Sequence, residues 1–217
     1  MARLAVFDVD GTLLPSTSME RLFVLHGLKS GILPIRNMIF FFARALRYLL
    51  QGNLEDAFKS NKSYLRNLPV EMVERESTRI FGESIAQKLS RDGIEMMNSC
   101  KERDFKILIM SGAPNFLTCH LSSVCPQDFV ISAKLEILED KFTGKIAGPH
   151  PYGVRKKELL IQMKEKLEID FAASIVFADH HADAYHMELF GNVVAVNPTP
   201  KLLRLARKRD WEIQYWR

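Results

Sequence analysis

Four short apolar runs, rich in β-branched and large aliphatic residues, constrain the fold of this chain most. They are LAVFDV (4–9), KILIMSG (106–112), SIVFADH (174–180) and VVAVN (193–197). Continuous apolar sequence is typical of strands that are covered on both faces, as in a parallel sheet between two layers of helices. The segments between the runs have helical patterns that fit crossover connections. The sequence therefore predicts an α/β fold of the Rossmann-like, doubly wound class, built on a parallel sheet.

The long gap between the first and second runs predicts a helical insertion. Residues 15–90 are too many for one crossover, and glycine, asparagine and proline divide them into helices. The expected helices are at about 18–29, 33–51, 54–66, 69–80 and 83–90, and a further helix over 91–104 returns the chain to the sheet. The predicted organisation is a core of residues 1–14 and 91–217 with an inserted helical unit of residues 15–90.

Residues 129–144 differ from the four runs because their apolar residues alternate with polar ones around an acidic turn. Alternation of this kind favours a strand with one exposed face. We therefore expect a hairpin or flap at the edge of the sheet.

Composition excludes several classes of protein. Hydrophobic residues make up 47% of the 217 residues and charged residues 26%, which favours a well-cored globular protein over a disordered one. The three cysteines lack a CxxC pair, which argues against a disulfide framework or a zinc site and suits a reducing cytosol. The apolar run before Asp8 is too short for a signal peptide, so a cytoplasmic location is expected. The net charge of +4 is modest.

Polar residues follow the predicted strands at the points where ligands bind in open parallel sheets. The candidates are Asp8 and Asp10 at the end of the first predicted strand, Ser111 and Gly112 at the end of the second, Asp179 and Asp183 at the end of the third, and Lys156 or Lys157 at the start of a helix. Each has an ordinary structural explanation, as a turn residue, a helix cap or a solvated lysine. Their arrangement at successive strand ends is harder to explain by turn chemistry alone.

Together these residue types fit phosphoryl-transfer chemistry. Converging carboxylates repel one another unless a cation lies among them, and hard oxygen ligands suit Mg²⁺. One carboxylate can attack phosphorus and form an aspartyl-phosphate, while a second, two residues along, gives or takes a proton. The hydroxyl, backbone N–H groups and a lysine can hold the phosphoryl oxygens.

Four motifs in order resemble those of the haloacid dehalogenase superfamily of phosphatases. They are FDVDGTLL (7–14), ILIMSGAP (107–114), YGVRKKELL (152–160) and FADHHADAYHMELFGN (177–192). The segments IAGPHPYG (146–153) and VAVNPTPKLLRLARKRDW (194–211) are similar to subfamily IB, which includes phosphoserine phosphatases and some phospholipid-head phosphatases. The resemblance covers almost the whole chain and implies that residues 15–90 form a cap that closes over the site.

The resemblance also implies roles for the matching positions. Asp8 is the expected nucleophile and a Mg²⁺ ligand, and Asp10 the general acid and base, with its backbone carbonyl on the metal. Asp179 and Asp183 complete and support the metal site. Ser111, Gly112 and Lys156 are expected to bind phosphate.

Lys157 is the alternative to Lys156 as the phosphate-binding lysine. Lys156 is preferred because Leu160 and Met163 follow it at helical spacing. His180 and His181 depart from the family pattern because bulky imidazoles follow the first acid of the fourth motif. They are interpreted either as solvent-facing loop residues or as groups that alter the metal site.

The second expected helix of the insertion, 33–51, is unusual because no acid occurs from Arg21 to Leu54. Positions 36, 40, 44, 47 and 51 share one helical face that carries three arginines. Two interpretations remain open for the apolar remainder: packing within a helical bundle, or contact with an anionic membrane or a lipid tail. The arginines exclude an ordinary membrane-spanning helix.

The leading hypothesis is a Mg²⁺-dependent phosphatase that hydrolyses a phosphomonoester, either a small molecule or a phospholipid-head phosphate. Phosphoserine is not favoured, because Thr17 stands where phosphoserine phosphatases carry a glutamate. The alternatives are a phospho-accepting signalling domain and a non-catalytic or membrane-peripheral binding protein on the same fold. No nucleic-acid partner is expected, and the sequence leaves the oligomeric state open.

Overall fold

The computed structural model describes residues 2–52 and 59–217. Within these residues a six-stranded sheet has the order β3-β2-β1-β6-β7-β8, and every pair of neighbours in it is parallel. A separate two-stranded antiparallel sheet joins β4 to β5. The strands are β1 (Leu4–Phe7), β2 (Lys106–Pro114), β3 (Phe129–Ala133), β4 (Leu135–Leu138), β5 (Lys141–Ile146), β6 (Ile175–Ala178), β7 (Asn192–Val196) and β8 (Glu212–Gln214).

The four apolar runs form the centre of the sheet, as predicted. Strand β1 is buried along its whole length and pairs with β2 on one side and β6 on the other. In register, Val6 lies between Leu108 and Val176. The α/β class with a parallel sheet is therefore confirmed.

The hairpin prediction for residues 129–144 is wrong in its first part. Phe129–Ala133 is β3, the edge strand that runs parallel to β2, and the hairpin is formed by β4 and β5. Because β3 has a neighbour on one side only and is only partly buried, its sequence alternates as a hairpin strand does. Strand β8 was not predicted, because three residues with two polar side chains carry no apolar signal.

The main α-helices are α1 (Met19–Lys29), α2 (Ile35–Leu50), α3 (Val70–Ile80), α4 (Arg91–Glu102), α5 (Asn115–Thr118), α6 (Val154–Leu167), α7 (Ala184–Met187) and α8 (Pro200–Lys208). Serine side chains cap two of them. The Ser18 Oγ accepts a hydrogen bond from the Arg21 N–H, and the Ser90 Oγ accepts one from the Gly93 N–H.

The predicted helix over 54–66 lies partly outside the described residues, which omit 53–58. In its described remainder Lys59 is helical, residues 60–62 are not, and Ser63–Leu65 forms a short 3₁₀ turn, so the prediction of one continuous helix through residue 66 is wrong. The predicted break between 80 and 83 is also wrong. Helix α3 continues through a π turn at Phe81–Ile85 and a 3₁₀ turn at Ala86–Lys88, because Phe81 and Ile85 are both buried and hold the backbone against the core.

Two apolar clusters cover the two faces of the sheet. Phe7 stacks on Phe177 in one cluster, with ring centroids 4.5 Å apart, whereas Val6 points into the other. The first cluster also contains buried residues from the helical segment, among them Phe23 and Tyr64. The helices that follow β1 therefore pack on the sheet through a shared core.

Candidate active site

The site lies where the carboxyl ends of β2, β1 and β6 meet. Because β1 is central, Asp8 directly after it is flanked by Ser111 near the end of β2 and Asp179 directly after β6. These residues line one cavity of about 490 Å³. Side chains of α1, α2 and residues 59–64 form its other wall. The fold thus brings together residues that are far apart in the sequence.

Lys156, near the start of α6, lies between two carboxylates. Its Nζ is 2.6 Å from Oδ1 of Asp8 and 2.7 Å from Oδ1 of Asp183, and all three side chains are buried. Burial alone would lower the pKa of Lys156, but the charges and hydrogen bonds of the two carboxylates outweigh burial and raise it. Lys156 is therefore a permanent cation at the end of β1.

Lys157 does not line the cavity. Residue 156 occupies the buried face of α6 one turn before Leu160, as the helical spacing predicted, whereas Lys157 is only half-buried. The geometry therefore favours Lys156 of the two lysines.

A tight turn follows β1 and holds Asp8 and Asp10 in place. The backbone N–H of Leu14 donates to the carbonyl of Val9, and Gly11 has a φ of +90°. A Cβ at Gly11 would overlap the carboxylate of Asp179, so this close approach and the positive φ both require glycine.

Asp10 joins this turn to the first helix of the insertion. Its Oδ1 accepts a hydrogen bond of 2.9 Å from the backbone N–H of Met19, the first residue of α1. The N-terminus of α1 therefore fixes the side chain that lies two residues beyond Asp8.

Burial raises the pKa of three carboxyl groups in the site. Burial raises the pKa of Asp8, although the positive charge of Lys156 opposes this increase. Burial raises the pKa of Asp10 to about 7 although the Met19 hydrogen bond opposes it, and burial with the charges of Asp8 and Asp183 raises the pKa of Asp179 to about 8. Without a metal ion, ionising Asp8, Asp10 and Asp179 together is therefore unfavourable, even with Lys156 present.

Three carboxylates of the site could together hold a metal ion. Within the described residues, oxygens of Asp8, Asp179 and Asp183 lie within 4.8 Å of one another. An all-carboxylate set in which the pKa values of Asp8 and Asp179 are raised fits a hard divalent cation, because the cation would favour the ionised forms. The Asp10 carboxylate is not in this group, which leaves its backbone carbonyl as the ligand that the resemblance implies.

Ser111 and Gly112 lie at an irregular part of β2, where its pairing with β3 shifts register between Met110 and Pro114. The Ser111 hydroxyl is buried and accepts a hydrogen bond of 3.0 Å from the Ala113 N–H. The Gly112 carbonyl lies 3.1 Å from Nε2 of His150, whose pKa burial lowers to about 4. His150 is thus a neutral donor that positions the backbone beside Ser111.

The wall of the cavity formed by α1 and residues 59–64 contains an ion pair that sequence reasoning missed. Nζ of Lys62 lies 2.6 Å from each oxygen of Glu20, and the Tyr64 hydroxyl donates to Oε1 of Glu20 over 2.7 Å. Glu20 is the single acid between Asp10 and Glu55 in the sequence, which marks it as unusual but does not identify its partners.

Aromatic and basic side chains form the rest of this wall. Nζ of Lys59 lies 4.9 Å from the ring centroid of Tyr152, and the His180 ring is 6.5 Å from the same ring. The His180 Nδ1 accepts a hydrogen bond from the Ala182 N–H, and its ring centroid is 4.2 Å from that of His181. His180 thus lines the cavity and is not a freely solvated loop residue.

Comparison with known proteins shows which family and which relatives this chain is similar to. A family model described as haloacid dehalogenase-like hydrolase matches residues 5–188. Phosphoserine phosphatase of Archaeoglobus fulgidus is 26% identical over 195 residues, which cover 90% of this chain and 52% of that protein. Phosphoserine phosphatase of Saccharomyces cerevisiae is 26% identical over 207 residues, covering 94% of this chain and 62% of that protein. The chain thus spans about half to two thirds of the length of these relatives.

Solved structures show the same fold. A protein of unknown function from Bordetella pertussis superposes with a TM-score of 0.79 at 20% identity, covering 99% of this chain and 98% of that one. A phospho-aspartyl intermediate analogue of phosphoserine phosphatase gives a TM-score of 0.67 at 19% identity, covering 99% of this chain and 93% of that one. At these identities the likeness extends to the fold alone.

Proposed function

This chain belongs to the haloacid dehalogenase-like hydrolase family, and from that premise we propose that it is a Mg²⁺-dependent phosphatase acting through Asp8. The observation that carries the proposal is the buried Lys156 cation between Asp8 and Asp183, with Asp179 beside them in one cavity. This arrangement offers a nucleophilic oxygen, a permanent positive charge and a carboxylate cluster within reach of one phosphate group.

In the first proposed step, an oxygen of Asp8 forms a bond to phosphorus and the bond between phosphorus and the substrate alcohol oxygen breaks. Asp10 in its protonated form gives its proton to the leaving oxygen. Its pKa of about 7 suits this task, because a general acid works best when its pKa is close to the working pH. Lys156, the Ser111 hydroxyl and the backbone at Gly112 hold the phosphoryl oxygens.

In the second proposed step, Asp10 as a carboxylate accepts a proton from a water molecule. The water oxygen bonds to phosphorus while the bond between phosphorus and Asp8 breaks, so inorganic phosphate leaves and both aspartates return to their initial states. Mg²⁺ held by Asp8, Asp179, Asp183 and the Asp10 carbonyl would neutralise the charge of the phosphate and the carboxylates.

A generic aryl phosphate tests the activity directly. We expect Mg²⁺-dependent release of phosphate that EDTA abolishes and excess Mg²⁺ restores, because the carboxylates cannot all ionise around a phosphate without a cation. Absence of turnover across amino-acid, sugar, nucleotide and lipid-head phosphates, together with no Mg²⁺ binding by calorimetry, would instead support the alternative of a non-catalytic binding protein.

Substitution of Lys156 and Lys157, one at a time, distinguishes a specific phosphate contact from a general effect of lost positive charge. We expect Lys156→Met to lower kcat/KM for the aryl phosphate by at least about 100-fold, as loss of a charged group aimed at the transition state does. Lys157→Met removes the same charge one residue away and is expected to keep kcat/KM within about twofold of wild type. Equal losses in the two variants would exclude Lys156 as a specific phosphate ligand.

We further propose that residues 15–90 act as a cap that selects the substrate alcohol. The cap side of the cavity combines the apolar side chains of Val24, Leu25 and Phe41 with the paired Glu20. An ammonium group near the phosphate would need a carboxylate there, but Lys62 and Tyr64 already occupy both oxygens of Glu20. The substrate is therefore expected to be the phosphate of an alcohol without an ammonium group.

Steady-state kinetics with matched substrates tests whether the enzyme prefers an alcohol without an ammonium group. We expect kcat/KM for glycerol phosphate to exceed that for phosphoserine by at least about tenfold, the effect of one hydrogen bond to a charged group. Lys62→Met frees the Glu20 carboxylate and should raise the ratio of phosphoserine to glycerol phosphate by a similar factor, while Lys62→Arg should leave the ratio unchanged. A wild-type preference for phosphoserine would refute this substrate class.

The cellular location of the protein is part of the same proposal. No helix in the described part of the chain has the length and apolar character needed to cross a bilayer. The three cysteines are free, and free cysteines are typical of proteins in reducing compartments. We propose a cytoplasmic enzyme that contacts a membrane peripherally through residues 33–51.

A further inference from the structure

A basic groove lies beside the buried face of α2, and none of the residues that line it lines the candidate active site. It has a volume of about 1200 Å³ and runs between α2 and the hairpin of β4 and β5. Among the described residues that line it there is one acid, Glu139, and six cations: Arg36, Arg44, Arg47, Arg66, Lys141 and Lys145. Three of the cations come from outside α2, so the groove is a feature of the tertiary structure.

An exposed apolar stripe runs along the same helix. Ile35, Ile39, Phe42, Leu46 and Leu50 follow at intervals of four, three, four and four residues, so they share one helical face. Each is between 57% and 82% exposed. This is a large apolar surface for a helix whose core contacts are made by other residues, Met38 and Ala45.

The stripe and the groove are neighbouring faces of one helix. A helix advances about 100° per residue, which places the arginines of the groove beside the stripe and the buried residues on the remaining side. The chain anchors α2 in this orientation. Nδ2 of Asn37 donates to the carbonyls of Tyr64 and Arg66 over 3.1 and 2.8 Å, and Nδ2 of Asn61 donates to the Phe41 carbonyl over 2.9 Å.

We propose that α2 and the hairpin form a docking surface for an anionic membrane. The apolar stripe enters the boundary between headgroups and acyl chains, and the groove cations bind lipid phosphates beside it. Charge complementarity favours a membrane over the other occupants. A second copy of this chain would bring like charges together, and a nucleic acid would leave the apolar stripe in water.

This surface specifies the partner of the membrane contact proposed above, but it does not depend on catalysis. Vesicle binding therefore tests it even if the chain has no phosphatase activity. Conversely, turnover of a soluble aryl phosphate tests the enzyme without a membrane.

Flotation of the full chain with vesicles provides the test. We expect binding to vesicles of phosphatidylcholine with phosphatidylglycerol, no binding to phosphatidylcholine alone, and weaker binding as salt is raised. The triple variant Arg36→Gln, Arg44→Gln, Arg47→Gln should lower the partition coefficient at least about tenfold, because each cation near an anionic surface contributes severalfold. A second triple variant, Ile39→Gln, Phe42→Gln, Leu46→Gln, should do the same through loss of apolar burial.

Controls separate this surface from the net positive charge of the chain. Arg204→Gln, Arg207→Gln, Lys208→Gln removes three exposed cations from α8 and should keep binding within about twofold. All three variants should keep the melting temperature of wild type and, if the chain is an enzyme, its turnover of the aryl phosphate. Either result shows that a variant folds.

Several results would overturn the proposal. They are absence of binding to anionic vesicles, equal loss in the α8 control, or binding that depends on RNA. A dimer in sedimentation velocity that the apolar triple variant dissociates, without vesicle binding, would assign the stripe to a second copy instead.

Discussion

Asp8→Asn is expected to lower kcat for an aryl phosphate by at least about 10⁴-fold, the scale on which removal of a catalytic nucleophile acts. An amide oxygen is a far weaker nucleophile than a carboxylate, and the variant also removes the charge that lies 2.6 Å from Lys156. The substitution keeps the shape of the side chain, so the circular dichroism spectrum should be unchanged. Steady-state turnover with Mg²⁺ in excess measures the effect.

A matched control and a trapping experiment sharpen this prediction. Asp210→Asn is an equally conservative change at an exposed position beyond α8 and should have wild-type kcat. Acid quenching of wild type during turnover of a substrate labelled in its phosphate should leave label on the chain, whereas Asp8→Asn should carry none. Normal turnover in Asp8→Asn would rule out the proposed mechanism.

The second large effect is on stability, where Asp179→Asn is expected to stabilise the metal-free protein at pH 8.5 while abolishing activity. The folded-state pKa values of Asp10 and Asp179, about 7 and about 8, lie above the ordinary value of 3.8. Between pH 3.8 and about pH 8, Asp10 and Asp179 bind more protons in the folded chain than in the unfolded chain. These two groups should therefore make the free energy of unfolding of the metal-free protein fall as pH rises from about 4 through 8, whereas the buried His150 and His186, whose pKa values are lowered, oppose this fall below about pH 6.5.

Asp179→Asn removes one of these groups together with its repulsion from Asp8 and Asp183. We expect the melting temperature of the metal-free variant at pH 8.5 to exceed that of wild type by at least about 4 °C, which corresponds to about 1–2 kcal/mol in a chain of this size. At pH 5.5 the difference should be much smaller, because the carboxyl group of wild type is then protonated.

Mg²⁺ supplies the contrasting measurement. It should raise the melting temperature of wild type at pH 8.5 and have little effect on Asp179→Asn, because the variant lacks one ligand of the carboxylate cluster. Asp210→Asn should behave as wild type at both pH values. A metal-free Asp179→Asn variant that melts no higher than wild type at pH 8.5, or equal stabilisation of both proteins by Mg²⁺, would contradict this account of the cluster.

The sequence predicted the centre of the fold well because β1, β2, β6 and β7 are continuously apolar. It failed at the edges of the sheet. β3 is only partly buried, so it resembled a hairpin strand, and β8 is too short and polar to be distinguished from a loop. It also failed after residue 80, where burial of Phe81 and Ile85 continues the helix through Gly82.

Local order in the sequence was enough to place Asp8, Ser111 and Asp179 around one point, because the carboxyl ends of adjacent parallel strands meet at the same edge of a sheet. Lys156 lies on a helix, and its choice came from the family resemblance and the helical spacing to Leu160. The roles assigned to them remain predictions. The pairing of Glu20 with Lys62 could not be predicted, since the two residues are 42 positions apart and no periodicity relates them.

The parallel α/β core, the family resemblance and the residues gathered at the strand ends could all be predicted from the amino-acid sequence, because strand burial and motif order are local properties. The folded chain was needed to show which face of α2 is buried, that hairpin lysines join its arginines in one groove, and that Lys62 and Tyr64 bind Glu20. Those features depend on contacts between segments that are distant in the chain, and the residue pattern of a single segment does not show such contacts.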